Sequence, residues 1–316
     1  MSTVEGAQTA VAVEQAGARA RRGRVRRPPL AGTWWRHLIA IVAIVFAVFP
    51  VAYMASAAFS VDGTLAGASL IPREVTLDNF RTILSGEVTV AGDVSDIPYP
   101  RWYFNTVFIA LTTAVLTVVL GALAAYAFSR FRFRGRRLGM LTLLLIQMFP
   151  QLLLVVAIYL IVLNTGDVFP FLGLNTYSAL ILVYLGGVMG VNTWLLKGFF
   201  DTIPAELDES ARVDGATPSQ VFWGVILPLA APVLAVVGFF SFVATINEFV
   251  IVSTLMQTRD HYTLPVGMRQ FIDKQYSEQW GVFCAGVLLA AIPVVIVFQF
   301  LQRFIVSGLT QGSVKG

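Results

Sequence analysis

Polar and apolar positions along this chain fall into long blocks rather than a short helical or strand-like rhythm. Six apolar blocks, residues 37–59, 103–129, 138–163, 175–196, 229–256 and 281–302, are each long enough to cross a bilayer as a helix, which takes about 20 residues. Five of the six contain no Asp, Glu, Lys or Arg, and block 229–256 contains one, Glu248. Hydrocarbon offers a peptide group no hydrogen bond, so blocks of this kind are expected as helices. The pattern predicts an all-α integral membrane protein with six transmembrane helices. Residues 1–36 are polar, Ala-rich and then basic, and read as a disordered tail. Residues 37–316 read as the membrane domain. Of its external segments 60–102, 164–174 and 257–280, the first is long enough to pack as a small cap.

Composition supports the membrane reading. Hydrophobic residues make up 57% of the chain and charged residues 13%, where a soluble domain carries about 25%. The arginines set the orientation. Sixteen of the 22 Lys and Arg residues fall in the tail, the loop 130–137, residues 197–228 and the C-terminal end. By the positive-inside rule both termini are cytoplasmic. Trp34, Trp35, Trp102, Tyr103 and Trp280 stand at block ends, where aromatic belts lie. The net charge of +4 is therefore read as membrane orientation, with lipid and not nucleic acid as the partner. Ala55-Ser56-Ala57 fits a signal-peptidase pattern, but the long basic stretch before it and the length of the block argue against cleavage. Cys284, the sole cysteine, lies in an apolar block and reads as a small buried hydrophobe.

The largest polar interruption on the cytoplasmic side is residues 197–228. Thr202 is positioned to cap a first short helix, with Pro204 in its first turn. Glu206, Asp208 and Glu209 then lie near the positive end of that helix. Ile203, Leu207 and Ala211, four apart, form an apolar stripe. Gly215 supplies a stop, and Thr217-Pro218-Ser219-Gln220 begins a second helix with a capping box and proline at its first position. Such a helix-turn-helix suits docking into a groove on a soluble partner. The alternative is a helix lying at the lipid interface. Four acids, Glu206, Asp208, Glu209 and Asp214, against Arg212 alone make that less favourable at an anionic leaflet.

This stretch resembles the EAA loop of ABC importer permeases: Glu-Ala-Ala, three residues, Gly, nine residues, Ile, any residue, Leu-Pro. Here the pattern reads Glu209-Ser210-Ala211, Gly215, Val225 and Leu227-Pro228, with Ser210 and Val225 as conservative departures. Thr76-Leu77-Asp78-Asn79-Phe80 and the run from Ala124 to Phe131, with Phe133-Arg134-Gly135-Arg136 after it, are similar to other parts of the family. Asn247-Glu248-Phe249, the run from Tyr262 to Met268 and the ending from Gly308 to Gly316 resemble the MalG type of subunit in maltose and maltodextrin importers. The resemblance covers residues 37–316. It implies that residues 204–216, between the fourth and fifth spans, form a cytoplasmic coupling helix set in a cleft of an ATPase. Glu206, Glu209, Ala211, Asp214, Gly215, Leu227 and Pro228 are the implied coupling residues. It also implies two ATPase copies holding ATP and Mg, a second, MalF-like permease and an external sugar-binding protein. Residues 257–280, with Tyr262 and Met268, would meet the binding protein, and the tail residues Gly312, Lys315 and Gly316 the ATPases.

This chain has no phosphate-binding loop, since none of Lys197, Lys274 and Lys315 follows a glycine. It is expected to bind no cofactor or metal and to catalyse nothing itself. Asn247 and Glu248 are candidates for the substrate pathway, because an ionisable residue at membrane depth is a functional hypothesis by default; the competing reading puts Glu248 in the hydrated outer interface. His37 and His261, at block ends, read as interfacial residues. An ion-coupled transporter would need more charge at mid-membrane. A membrane enzyme would need a cluster of His, Asp or Cys at one face. Other cargo for the same importer class, such as trehalose, glycerol phosphate or another oligosaccharide, stays open.

Overall fold

The structure is a computed structural model that describes residues 34–61, 71–72, 74–90, 93–272 and 279–311. The chain divides into two units, Met1–Ala52 and Tyr53–Gly316, and the division falls inside helix α1 (Trp34–Ala58). In the first unit the described residues, 34–52, are helical throughout. The second unit contains α2 (Asp78–Ser85), β1 (Glu87–Val90), β2 (Asp93–Asp96), α3 (Tyr99–Arg130), α4 (Arg136–Gln147), α5 (Gln151–Val168) and α6 (Tyr177–Phe200). It continues with α7 (Ala205–Val213), α8 (Pro218–Leu229), α9 (Ala231–Ile246), α10 (Val250–Leu255), α11 (Leu264–Met268) and α12 (Trp280–Gln311).

By length and composition four helices can cross a membrane: α1, α3, α5 and α12. The number rises to six if two bent pairs each count as one span. These are α6, bent by 50° between Gly187 and Met189, and α8 with α9, bent by 78°. The six apolar blocks therefore survive as helices, but two are broken and a third, 175–196, is bent within α6. Block 138–163, expected as one helix, breaks at Met148–Phe149–Pro150 into α4 and α5. Proline lacks the amide proton, and its ring keeps the preceding residue out of the helical region. Block 229–256 breaks at Asn247–Phe249 into α9 and α10.

Helix α3 is the centre of the second unit and packs along α6 and α9, while α12 packs on α9. Its buried face is a stripe of small residues, Thr106, Ala110, Thr113, Thr117, Gly121 and Ala125. Small side chains let helices approach closely where there is no hydrophobic drive between them. Leu152, Leu153 and Val156 on α5 are exposed, the kind of surface that lipid or another subunit covers.

The described residues of segment 60–102 include α2 and a two-stranded hairpin. The antiparallel strands β1 and β2 pair Glu87 with Asp96 and Val90 with Asp93, a hairpin that the all-α expectation did not include. The Asn79 amide donates to the carbonyls of Ala58 and Ser60, both at 2.9 Å, and so closes the end of α1. Ser56, Ala57 and Ala58, next to the possible cleavage pattern, are buried.

The segment after α10 is clamped to the first turns of α3. Trp102 Nε1 donates to the carbonyl of Arg259 at 2.7 Å, and Asn105 Nδ2 donates to those of Asp260 and Tyr262. Leu264 N–H donates to Thr106 Oγ1. Gly267 lies flat against the Trp102 indole, where an added Cβ would come within 2.1 Å of Cε3. Trp102 is fully buried and its ring is rigid. Gly267→Ala should therefore destabilise the protein by about 1–3 kcal/mol through overpacking. A thermal unfolding curve in detergent checks this, and an unchanged midpoint would contradict the close packing.

Candidate functional site

Helices α7 and α8 build the predicted helix-turn-helix, and its local chemistry largely follows the sequence. Gly215 adopts φ +86°, a left-handed conformation that side chains disfavour, and a Cβ there would meet nothing within 4 Å. The requirement for glycine is thus one of backbone, not of space. Ala216 N–H donates to Ala211 O at 2.9 Å and Gly215 N–H to Arg212 O at 3.0 Å, the paired bonds of a Schellman stop. The capping box of α8 is complete: Thr217 N–H donates to Gln220 Oε1 and Gln220 N–H to Thr217 Oγ1. Proline stands at the first position of that helix.

Two local expectations are corrected. Thr202 does not cap α7; its hydroxyl donates to Phe199 O at 2.7 Å and closes the end of α6 instead, while Pro204 takes the N-cap position. The stripe Ile203–Leu207–Ala211 does not form either. Ile203 is buried and Ala211 is half-buried, but Leu207 is 40% exposed and Asp208 only 3%. Ile203 precedes the first helical turn, so helical spacing cannot be counted from it. Within α7 the inward positions are Asp208 and Ala211, three apart.

Asp208 turns inward because it meets Arg130 at the last turn of α3. Arg130 Nε approaches Asp208 Oδ2 at 2.5 Å, with side chains 11% and 5% exposed. The contact is ionic and lacks hydrogen-bond alignment at Nε, and Asp208 Oδ1 has no hydrogen-bond partner. Arg130 Nη2 also donates to Ile203 O at 2.8 Å. Beside it, Ser129 Oγ donates to Asp201 Oδ1 at 2.7 Å, and Lys197 pairs with Asp201. Burial works to raise the Asp201 pKa. Hydrogen bonds from Lys197 and Ser129 and the charges of Lys197 and Arg136 outweigh it and hold the carboxyl below its usual value. Phe222 stacks near Tyr126, ring centroids 5.0 Å apart, in the apolar cluster beneath. Ala211 and Leu227 pack against that cluster. Glu206, Glu209, Asp214 and Pro228 are exposed, with Val213 87% exposed beside the turn. The result is an acidic and apolar outer face on a firmly tethered short helix.

The other predicted residues lie elsewhere. Glu248 accepts three hydrogen bonds: from Tyr184 Oη at 2.8 Å and from the backbone N–H groups of Ile251 and Val252 at 2.8 and 3.1 Å. It thus satisfies the free amides at the start of α10. Asn247 is exposed, and its amide donates back to Val243 O. Tyr262 is half-buried beside Trp102, and Met268 is 5% exposed and turned inward onto Gly286. Among the described residues of that segment the exposed ones are instead Gln257, Thr258, Arg259, Asp260, Arg269 and Ile272. Gly312, Lys315 and Gly316 lie outside the described residues, as does most of the tail 1–36.

With this geometry in view, the chain was compared with known proteins. The family described as binding-protein-dependent transport system inner membrane component matches residues 117–311. The chain belongs to that family. It is the multi-pass, membrane-embedded permease subunit of a sugar or oligosaccharide ABC importer and is not itself the ATPase. Relatives of this permease include the maltose/maltodextrin permease protein MalG of Escherichia coli (strain K12), 40% identical over 89% of this chain and 95% of that protein. The galactooligosaccharide permease protein GanQ of Bacillus subtilis (strain 168) is 37% identical over 88% of this chain and 94% of that protein. The permease also has the fold of a chain in a bacterial ABC transporter that imports alginate, with a TM-score of 0.69 and 22% identity, covering 89% of this chain and 98% of that one.

Arg130 and its partner Asp208 are the residues that sequence reasoning missed. A signal was present: one arginine ends an apolar block, and an acid sits at a spacing that fits Ala211. Asp208→Asn leaves the Arg130 charge buried and should cost about 3 kcal/mol. Replacing both, as Arg130→Met with Asp208→Leu, should recover most of it, and unfolding midpoints of the three variants measure the difference. Asp201 behaves differently. Its contribution is complete above the ordinary carboxylate pKa and is lost as pH falls through the lowered value. Wild type and Asp201→Asn should differ in midpoint at pH 7 and converge in acid.

Proposed function

We propose that this permease couples oligosaccharide import to ATP hydrolysis in a partner subunit through α7. The helix docks in a cleft of the ATPase at the cytoplasmic face, with Glu206, Glu209 and Asp214 making polar contacts and Leu207 and Val213 the apolar ones. The observation that carries this is the tether. A docking element passes force only if its own base does not yield, and α7 is fixed to α3 by the buried Arg130–Asp208 pair and by Arg130 on Ile203 O. Its outer face is exposed and acidic, with Glu206, Asp208 and Glu209 in sequence and only Asp208 turned in.

The full assembly has two ATPase copies, which hold ATP and Mg, a second, MalF-like permease and an external binding protein. The exposed part of segment 257–272 meets the binding protein, and the C-terminal tail reaches the ATPases. Both termini are cytoplasmic, in keeping with the arginine distribution. The cargo is a maltose- or maltodextrin-like oligosaccharide, the reading supported by identities of 40–42% to several MalG proteins. The similarity to GanQ favours a second reading, galactooligosaccharides.

Purification of the tagged chain from membranes should bring down a P-loop ATPase and a second permease. ATP hydrolysis by the reconstituted complex should rise with the binding protein loaded with maltotriose; a rise only with a galactooligosaccharide selects the second reading. Gly215→Asp should abolish uptake while the chain stays in the membrane, because no side chain is comfortable at φ +86°. Full uptake by that variant excludes the coupling role.

A further inference from the structure

The interruptions at the α4–α5 junction and in α6 face each other and enclose a pocket of about 330 Å³, bordered by Gln147, Phe149, Gln151, Gly186, Gly187 and Ile251 among others. Both glutamines fall inside apolar block 138–163, Gln147 at the last position of α4 and Gln151 at the first position of α5. They are not equivalent. Gln147 Nε2 donates to Gly187 O at 2.5 Å, at the point where α6 bends. That bond answers a carbonyl at the bend and is structural. The Gln151 side chain is exposed and makes no hydrogen bond to any described residue. An amide left without a partner in hydrocarbon costs several kcal/mol. Polar side chains within apolar blocks tend to face a bundle interior or a water-filled cavity.

We propose that Gln151 lies on a wet part of the translocation path and is a contact for the hydroxyl groups of a neutral sugar. The lining is mostly aliphatic with two side-chain amides, which suits a neutral rather than a charged cargo. It contains no Asp, Glu, Lys, Arg or His, so a charged substrate would find no counter-charge. An amide offers both donor and acceptor, as a hydroxyl does. Phe149, 52% exposed on the same rim, offers a ring face to the apolar side of a pyranose. Gly186 adds no side chain, and a Cβ there would meet nothing within 4 Å, so the wall is open at that point. The inference rests on the permease being part of a sugar importer, as proposed above, and extends it to a subsite on this chain. Gln147 is a positioning residue: it holds the α6 bend in place opposite Gln151.

The test uses the complete transporter reconstituted in liposomes with its ATPase, its partner permease and a binding protein loaded with maltotriose. Gln151→Leu should lower maltotriose uptake about tenfold, the worth of a hydrogen bond to a buried partner. Assembly, and the stimulation of ATP hydrolysis by the binding protein, should persist. Gln151→Asn, which keeps the amide, should retain more uptake than the leucine variant. Unchanged uptake by Gln151→Leu overturns the proposal. A second measurement does not depend on the leucine variant assembling, and its labelling step does not depend on the choice of sugar. In a Cys284→Ala background, Gln151→Cys should react with a membrane-impermeant thiol reagent in the resting complex, and maltotriose should protect it. A cysteine that never reacts shows a dry site and overturns the proposal. Failure of the broader reading looks different: the wild-type complex then takes up no maltotriose, while the labelling experiment still reports whether the pocket is wet.

Discussion

A peptide group in hydrocarbon has no water to bond with, so a break in a spanning helix must be answered by some other part of the chain. Much of this permease is organised by how its breaks are answered. At the end of α1 the Asn79 amide takes up the Ala58 carbonyl. At the bend in α6, Gln147 takes up that of Gly187. After Asn247, the Glu248 carboxylate receives the first free amides of α10. The solutions at α6 and α10 place a polar side chain inside an apolar block, where it would otherwise look out of place, and the one at α1 comes from the segment that follows it. The polar groups of the membrane region are therefore first the price of its bends, and only what is left unpaired is available to a substrate.

That order explains what the sequence made legible. Apolar blocks, the capping box at Thr217 and the stop at Gly215 are local, and each depends on residues within a few positions of one another. They were readable and the structure has them. The interruptions within blocks 138–163 and 229–256 were not. Pro150 gave a warning, but proline is tolerated in spanning helices when a neighbour satisfies the freed groups, so it does not by itself mark a break. Glu248 reads from sequence as a substrate-path or interface residue, and its bond to Tyr184, 64 positions distant, is not legible there.

The candidate site shows the same division at smaller scale. The turn between α7 and α8 was read correctly because glycine and threonine carry their conformations with them. Which face of α7 points inward was not, because that is set by Arg130, 78 positions earlier, and a charge buried against a partner overrides the preference of Leu207 for burial. An acid on a helix surface reads as exposed until its cation is found. The spacing of Asp208 to Ala211 held the information, but only in combination with an arginine at the end of the second apolar block.

The tether and the bends also divide the labour of the molecule. A rigid joint at the Arg130 end of α3 makes α7 move with the helix that packs along both α6 and α9. The bends in α6 and between α8 and α9 lie in or beside those partners. On the coupling role proposed above, a displacement applied at α7 would enter the molecule through the Arg130 end of α3. The unpaired amide of Gln151 stands beside one of those bends, across from Gly186 and Gly187. A path that opens and closes by bending α6 would change the width of the pocket at that residue before it changed anything in the packed face of α3.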